Sequence, residues 1–358
     1  MSSRAKPVPV RPDRHDACAF KARVDDILEE FVGQERDQLL AIDPRLRPVA
    51  DQLVAASGQG KRLRAAFCYW GWRAAGQPDS NAFVRAAAAL ELVHAAASVH
   101  DDIIDDSPLR HGLPTAQIAL HEPLRSAPEF AQTGKALAML VGDLLMALAG
   151  QLFVTSGLPA AYLSRARPLW AVLARELIAG ECLEILCTGG VPDVAESLKV
   201  VRYKTAKYTV EQPLLIGGAL GGASDALRKA FSAYGLPLGE AFQLRDDLLG
   251  LYGDQARTGK ANLDDLRARR PTALLAETWQ AVDRPQREQL TRLLEHREPD
   301  DDILCEVRDL MTRVGAPARI EQMITDRVAE ATHALADVPA PAARALTELA
   351  TAATARRY

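Results

Sequence analysis

The chain of 358 residues has almost no strand-like sequence, no cysteine motif, no large excess of charge and no apolar run in its first sixteen residues. Runs rich in Val, Ile and Thr with period-two alternation are nearly absent, so a sheet-based core is not expected. The five cysteines, Cys18, Cys68, Cys182, Cys187 and Cys305, form no CxxC and are odd in number. That argues against a disulfide framework or a zinc site and for a reducing, cytoplasmic setting; Cys182 and Cys187 read as packing residues on a helical run. A net charge of −4 and a pI of about 6.0 give no reason to expect nucleic acid or an anionic membrane surface as partner. The opening "MSSRAKPVPVRPDRHD" is polar and Pro-rich, which predicts a disordered arm over 1–18 rather than a signal peptide. The longest apolar stretches, "AAAALELVHAAASV" and "PLLIGGALGGA", look too short or too interrupted to span a bilayer. A soluble protein with no stable membrane insertion is expected.

What is abundant is helix. With 48% hydrophobic residues the chain can bury a large core, and long Ala- and Leu-rich segments are separated mostly by Pro and Gly. Helices are predicted over 20–41, 46–56, 61–75, 81–107, 114–121, 133–156, 160–187, 193–205, 207–220, 224–253, 271–281, 284–296, 299–314, 316–335 and 340–355. Pro237 should kink or interrupt its helix. No repeat and no long linker occurs, so the expected fold is all-α: one large helical bundle over 19–358, with the active site in a central cavity between helices. Trp70 and Trp72 read as core or interface.

The stretch "SVHDDIIDDSPLRHG" places four aspartates at the end of an apolar helix. His94, Ser98, Asp101 and Asp105 are spaced four, three and four apart and share one face. Asp102 and Asp106 form a second such pair beside it. Acids at a helix C-terminus oppose the helix dipole, and like charges at i, i+4 add to the cost. A divalent cation such as Mg²⁺, which prefers carboxylate, water and phosphate oxygens, removes both problems. A solvated acidic helix end is the plain alternative, and the motif alone does not exclude it.

Its company decides. "FQLRDDLLGLYGD" puts Gln243, Asp246, Asp247 and Gly250 on one side of a second helix. The stretch after it supplies Lys260, Asp264, Asp265, Arg269 and Arg270. Two acidic faces suggest a metal site between facing helices of a bundle. "GQGKRLRAAF" places Lys61 and Arg64 on what should be one helix turn, "RYKTAKYTVEQP" offers Lys204 and Thr205, and Arg110 and His111 follow the first acidic cluster. Metal with Arg and Lys is a grip for diphosphate. The apolar wall beside it suits a substrate with a charged head and a long apolar tail.

These five ordered segments, from about Gly58 to Thr272, resemble the trans-prenyltransferase family, the head-to-tail isoprenyl diphosphate synthases. The wording "FQLRDDLLG…TGK" and "KTAKYTVE" is similar to geranylgeranyl diphosphate synthases of high-GC Gram-positive bacteria. The resemblance implies that Asp101, Asp105 and Asp246, with Asp102 in support, bind a Mg²⁺ cluster. It implies that Arg110, Lys204 and Lys260 hold the allylic diphosphate, and that Lys61, Arg64 and His94 hold isopentenyl diphosphate. Thr205 and Gln243 would line the space where the allylic cation forms, and the departing diphosphate would take the proton. A homodimer is also implied.

Two departures stand out. His111 occupies the place of a second arginine that normally grips isopentenyl diphosphate, so a neutral imidazole there would weaken the grip. Gly250 stands at the third acidic position of the second motif. Arg356 and Arg357 could close over the site. In the family, a bulky aromatic four or five residues before the first Asp stops the product at fifteen carbons. Here both positions are alanine, Ala97 and Ala96, so the tail should run on past Val93 and Ala89, with Met146 or Leu145 completing the floor. Geranylgeranyl diphosphate is the expected product, with farnesyl or longer polyprenyl diphosphates as alternatives. A class I terpene cyclase should carry an Asn/Asp–Ser/Thr–Glu motif, which is missing. A regulatory subunit would be expected to have lost acidic residues that this chain keeps.

Overall fold

The computed structural model describes residues 17–110, 112–121, 132–253, 268–296 and 300–355. Residues 1–16, most of the expected arm, lie outside the described residues. The helix expected from residue 20 already begins at Ala17. Among the described residues the elements are α1 (Ala17–Ile42), α2 (Arg47–Ser57), α3 (Leu63–Ala74), α4 (Asn81–Ile104), α5 (Ala116–His121), α6 (Thr133–Val154), α7 (Ala160–Cys187), α8 (Val194–Val201), α9 (Gln212–Gly221), α10 (Asp225–Tyr252), α11 (Ala273–Ala281), α12 (Arg284–Leu294), α13 (Asp301–Arg313), α14 (Ala316–His333) and α15 (Ala340–Thr354). The all-α expectation holds. The one sheet among the described residues is a two-residue hairpin, Leu109–Arg110 (β1) against Leu113–Pro114 (β2), with Leu109 opposite Pro114. It is too short to have a strand signature.

Helix starts are set locally. Ser80, Asp193, Ser224, Thr272, Asp283 and Asp300 each accept a hydrogen bond from a first-turn N–H, which satisfies an otherwise orphaned donor. α10 continues through Pro237 instead of breaking there. The carbonyl that loses its partner belongs to the exposed Ala233, where water can take the bond.

The buried side chains form two clusters. The larger gathers α1–α7, α9, the first half of α10, the end of α14 and α15; the smaller gathers the second half of α10 with α11–α13 and the rest of α14. α10 joins them: Phe231, Tyr234 and Leu238 belong to one, and Leu244, Leu248 and Leu251 to the other. Trp70 and Trp72 are buried in the larger core. Cys182, expected to pack, is exposed.

Two helices are long and apolar enough to cross a membrane by length and composition, contrary to the sequence expectation. The α4 window extends beyond the first quoted stretch, and α6 lies outside both. α4 uses its apolar surface in the core, with 72% of the window buried, while the α6 window is 44% buried. α6 leaves Met139, Leu140 and Val154 exposed, and α7 leaves Ile178, Ile185 and Leu186 exposed.

The predicted break near residue 206 is absent. α8 runs into a π-helical stretch, Arg202–Glu211, which runs directly into α9. β-branched and aromatic residues in "YKTAKYTV" lower helix propensity, and that reads as an ending. Packing against α7 and α10 overrides it. Two glycines make the fit possible. A Cβ on Gly180 of α7 would lie 2.2 Å from the Lys204 backbone nitrogen, and one on Gly239 of α10 would lie 2.4 Å from Ala206 Cα. Wide π turns are rare and concentrate at functional sites.

Gly180→Ala and Gly239→Ala should therefore each cost about 1–3 kcal/mol through overpacking. Gly33→Ala in α1, where an added Cβ meets nothing within 4 Å, should gain about 0.5–1 kcal/mol. Denaturant titration of the three variants checks this. Equal effects at all three positions would mean that the π segment is not held by close approach.

Candidate active site

The acidic end of α4 is compensated by cations from three separate segments. Arg110, returned by the β1–β2 hairpin, donates from Nε to both Asp102 oxygens at 2.9 Å and from Nη2 to Asp101 Oδ2 at 2.9 Å. Lys204 of the π segment donates to Asp101 Oδ1 at 2.8 Å. Arg270, just before α11, pairs with Asp105 and lies 4.0 Å from Asp101. Burial opposes ionisation of Asp101, but Lys204, Arg270 and Arg110 outweigh it and hold the carboxyl well below its usual range. Gln117 Nε2 donates to the Asp102 carbonyl at 3.0 Å and the Ser107 carbonyl at 3.2 Å, which fixes the loop that aims Arg110.

The helix ends at Ile104, so Asp105 is its cap and Asp106 turns away with φ 54°. The expected second pair is thus split. Asp102 is buried against Arg110, while Asp106 is exposed and paired with Lys135 at 2.9 Å. Asp101 and Asp105 share Arg270, as their common face implied.

Facing α4, α7 contributes two carboxylates that the sequence analysis passed over. Lys204 Nζ lies 3.0 Å from Glu181 and also pairs with Glu184. Burial pushes the Glu184 carboxyl up to about 7, although Lys204 pulls the other way. The same three acids hold the Lys204 ammonium above its usual range against the effect of burial. One oxygen from each of Asp101, Glu181 and Glu184 lies within 4.8 Å of the others. An all-carboxylate donor set of this kind fits a hard divalent ion.

The π segment also reaches α10. Thr205 Oγ1 donates to Gln243 Oε1 at 2.8 Å, and Gln243 Nε2 donates to Asp247 Oδ1 at 2.8 Å. Asp246, half-buried, follows Gln243 by three residues on the same helix. The two acidic motifs are therefore linked from Asp101 through Lys204, Thr205 and Gln243.

A second cationic centre lies farther along α4. Arg64 of α3 is 8% exposed and donates from Nη2 to Tyr208 Oη at 2.5 Å and to Thr209 Oγ1 at 3.0 Å. Its guanidinium carbon lies 4.3 Å from the Tyr208 ring centroid. No carboxylate pairs with it among the described residues, and its Nε has no partner. His94 Nδ1 is 3.1 Å from the same Tyr208 oxygen. Glu91, one turn before His94, accepts from Ala65 N at 2.9 Å and so ties the start of α3 to α4.

Lys61 and Arg64 do not share a helix turn. α3 starts at Leu63, and the preceding Arg62 has φ 57°. Arg62 bonds to Asp25 and to the Gln59 and Ser57 carbonyls at 2.7–2.8 Å, which offsets the roughly 1–2 kcal/mol that left-handed backbone costs a non-glycine residue. Lys61 is exposed on that loop. Ala96, Val93 and Ala89 are fully buried on α4; Ala97 and Met146 are half-buried against the same core. His111, Lys260, Arg356 and Arg357 lie outside the described residues. The residues missed, Glu181, Glu184 and Tyr208, left faint signals: two acids among several charged positions of α7, and a tyrosine inside an already quoted motif; Arg270 was named from the sequence but given no role.

The polyprenyl synthetase family model matches residues 43–311. A (2E,6E)-farnesyl diphosphate synthase from Mycobacterium tuberculosis is 33% identical over 284 residues, covering 76% of this chain and 74% of the relative. A nonaprenyl diphosphate synthase from the same species is 30% identical, covering 86% and 88%. A geranylgeranyl pyrophosphate synthase from Corynebacterium glutamicum, solved with isoprenyl diphosphate and magnesium, superimposes with a TM-score of 0.90 at 30% identity, covering 96% of this chain and all of that one. Family members use a divalent metal and isoprenyl diphosphates. The chain belongs to the polyprenyl synthetase family, the transferases that elongate prenyl diphosphates.

Proposed function

We propose that the chain condenses isopentenyl diphosphate with an allylic diphosphate in a Mg²⁺-dependent head-to-tail reaction, with geranylgeranyl diphosphate as the main product. The observation that carries this reading is the pair of cationic centres along α4. One is matched by carboxylates around Asp101; the other is the buried Arg64, which no carboxylate pairs among the described residues and which lies with His94 on the Tyr208 hydroxyl. His94 and Asp101 are seven residues apart, about 10 Å of helix rise, which is room for two diphosphate heads with reacting carbons between them.

Arg110, Lys204 and Arg270, with Lys260, exchange their carboxylates for the allylic diphosphate and hold it as it leaves. Its C–O bond breaks with the electron pair on oxygen. Thr205 and Gln243 border the resulting allylic cation. Lys61, Arg64 and His94, with His111 in the place of an arginine, hold isopentenyl diphosphate so that its double bond attacks that carbon. The proton then lost passes to the released diphosphate. Bound to Asp101, Asp105 and Asp246, with Asp102 in support, Mg²⁺ supplies further positive charge for the leaving group.

Small side chains support a product longer than farnesyl diphosphate. Ala97 and Ala96 put no aromatic plug on α4 before Asp101, and Val93 is a modest obstacle one turn deeper, where Met146 of α6 packs on the same core and can complete a floor. The similarity to the Corynebacterium protein supports twenty carbons. The exposed apolar faces of α6 and α7 suit a homodimer, and five free cysteines suit the cytoplasm.

Asp101→Ala or Asp246→Ala should lower kcat by about 10²–10³-fold or more, with the circular dichroism spectrum unchanged, and excess EDTA should abolish turnover. Near wild-type activity in either variant would remove the assignment.

Ala97→Phe should shift the main product from geranylgeranyl to farnesyl diphosphate while turnover persists, as read by mass spectrometry of the dephosphorylated products. A wild-type enzyme that already stops at fifteen carbons would overturn the length reading.

Sedimentation should give twice the 38.8 kDa chain mass, and Ile178→Asp with Ile185→Asp should give monomer. A monomeric wild type removes the dimer.

A further inference from the structure

Tyr208 stands between the two groups proposed to receive isopentenyl diphosphate, and its hydroxyl touches both. Proton bookkeeping at that oxygen fixes the direction of the Arg64 bond and leaves His94 as the acceptor in contact for the phenol proton. Arg64 Nη2 can only donate, so the Tyr208 oxygen accepts at the 2.5 Å contact. A phenol has one proton to give. Among the described residues no third partner lies at this oxygen, so its proton goes to His94 Nδ1, 3.1 Å away. His94 Nδ1 is then an acceptor, and the neutral ring carries its proton on Nε2, at the opposite edge. Ser98 Oγ, 3.4 Å from the same Nδ1, is the weaker neighbour. Arg64 is aimed by the same residue twice, through the hydroxyl and through the ring face.

We propose that Tyr208 is a positioning residue that sets the tautomer of His94 and the direction of Arg64, so that an Nε2–H and a guanidinium are presented together to an organic diphosphate. This rests on the reading that Arg64 and His94 bind isopentenyl diphosphate. It adds a residue with no assigned role and a defined protonation state. Thr209, which also accepts from Arg64, completes the support. Both come from the π segment that carries Lys204 and Thr205 to the other diphosphate.

The test is nitrogen NMR on the full-length protein labelled with ¹⁵N-histidine at neutral pH, with the His94 signals assigned by their loss in His94→Gln. The wild type should show Nδ1 unprotonated and Nε2 protonated. In Tyr208→Phe, which keeps the ring and removes the hydroxyl, the His94 signals should move toward a mixture of tautomers, and KM for isopentenyl diphosphate should rise roughly tenfold while the allylic KM moves much less. A protonated Nδ1 in the wild type overturns the proposal, and that measurement needs no variant to fold. An unchanged tautomer in a folded Tyr208→Phe overturns it as well, as does an unchanged KM for isopentenyl diphosphate in that variant while Arg64→Gln raises it. If Arg64→Gln itself leaves that KM unaltered, the failure lies in the substrate assignment, and the tautomer result still stands by itself.

Discussion

Everything at this site follows from the cost of crowding carboxylates at the C-terminal end of a helix. The dipole of α4 and the mutual repulsion of Asp101, Asp102 and Asp105 both oppose ionisation. The fold answers with cations brought from far apart in the chain: Arg110 from a hairpin directly after the helix, Lys204 from a segment after α8, and Arg270 from the approach to α11. Each is positioned by something rigid. The hairpin is fixed by Gln117 and Thr115, and the π segment is wedged between α7 and α10. The bundle can be seen as the frame that delivers these charges to one helix end.

The π segment has a second task. It brings Lys204 to the acidic end of α4 and Thr205 to Gln243 of α10, while Tyr208 and Thr209, four residues later, meet Arg64 of α3. One strip of backbone thus sets the relative position of the two cationic centres. Reaction between two bound substrates depends on such relative placement more than on the strength of either grip.

Much of the molecule was legible in the sequence because its signals are local and periodic. The helices follow apolar spacing and caps, the shared face of Asp101 and Asp105 follows from helical geometry, and the contact between Thr205 and Gln243 joins two residues already singled out. What was not legible is tertiary. Nothing near Arg270 says that it returns to Asp105, 165 residues earlier. Glu181 and Glu184 look like ordinary polar positions until Lys204 is placed between them. The π stretch reads as a helix break because propensity scales carry no knowledge of the glycines opposite it. Lys61 was assigned to a helix because nothing local announces that Arg62 takes a left-handed conformation, which a distant Asp25 helps to stabilise.

The lone charge at Arg64 has a thermodynamic consequence. A guanidinium more than nine-tenths buried, opposed by hydroxyls and an aromatic face, with no carboxylate among the described residues, is a standing penalty on the empty protein. An anion that enters recovers that penalty along with its own binding energy. Occupancy and conformational stability are therefore coupled through one side chain, and the resting molecule is poised below the stability it reaches when loaded.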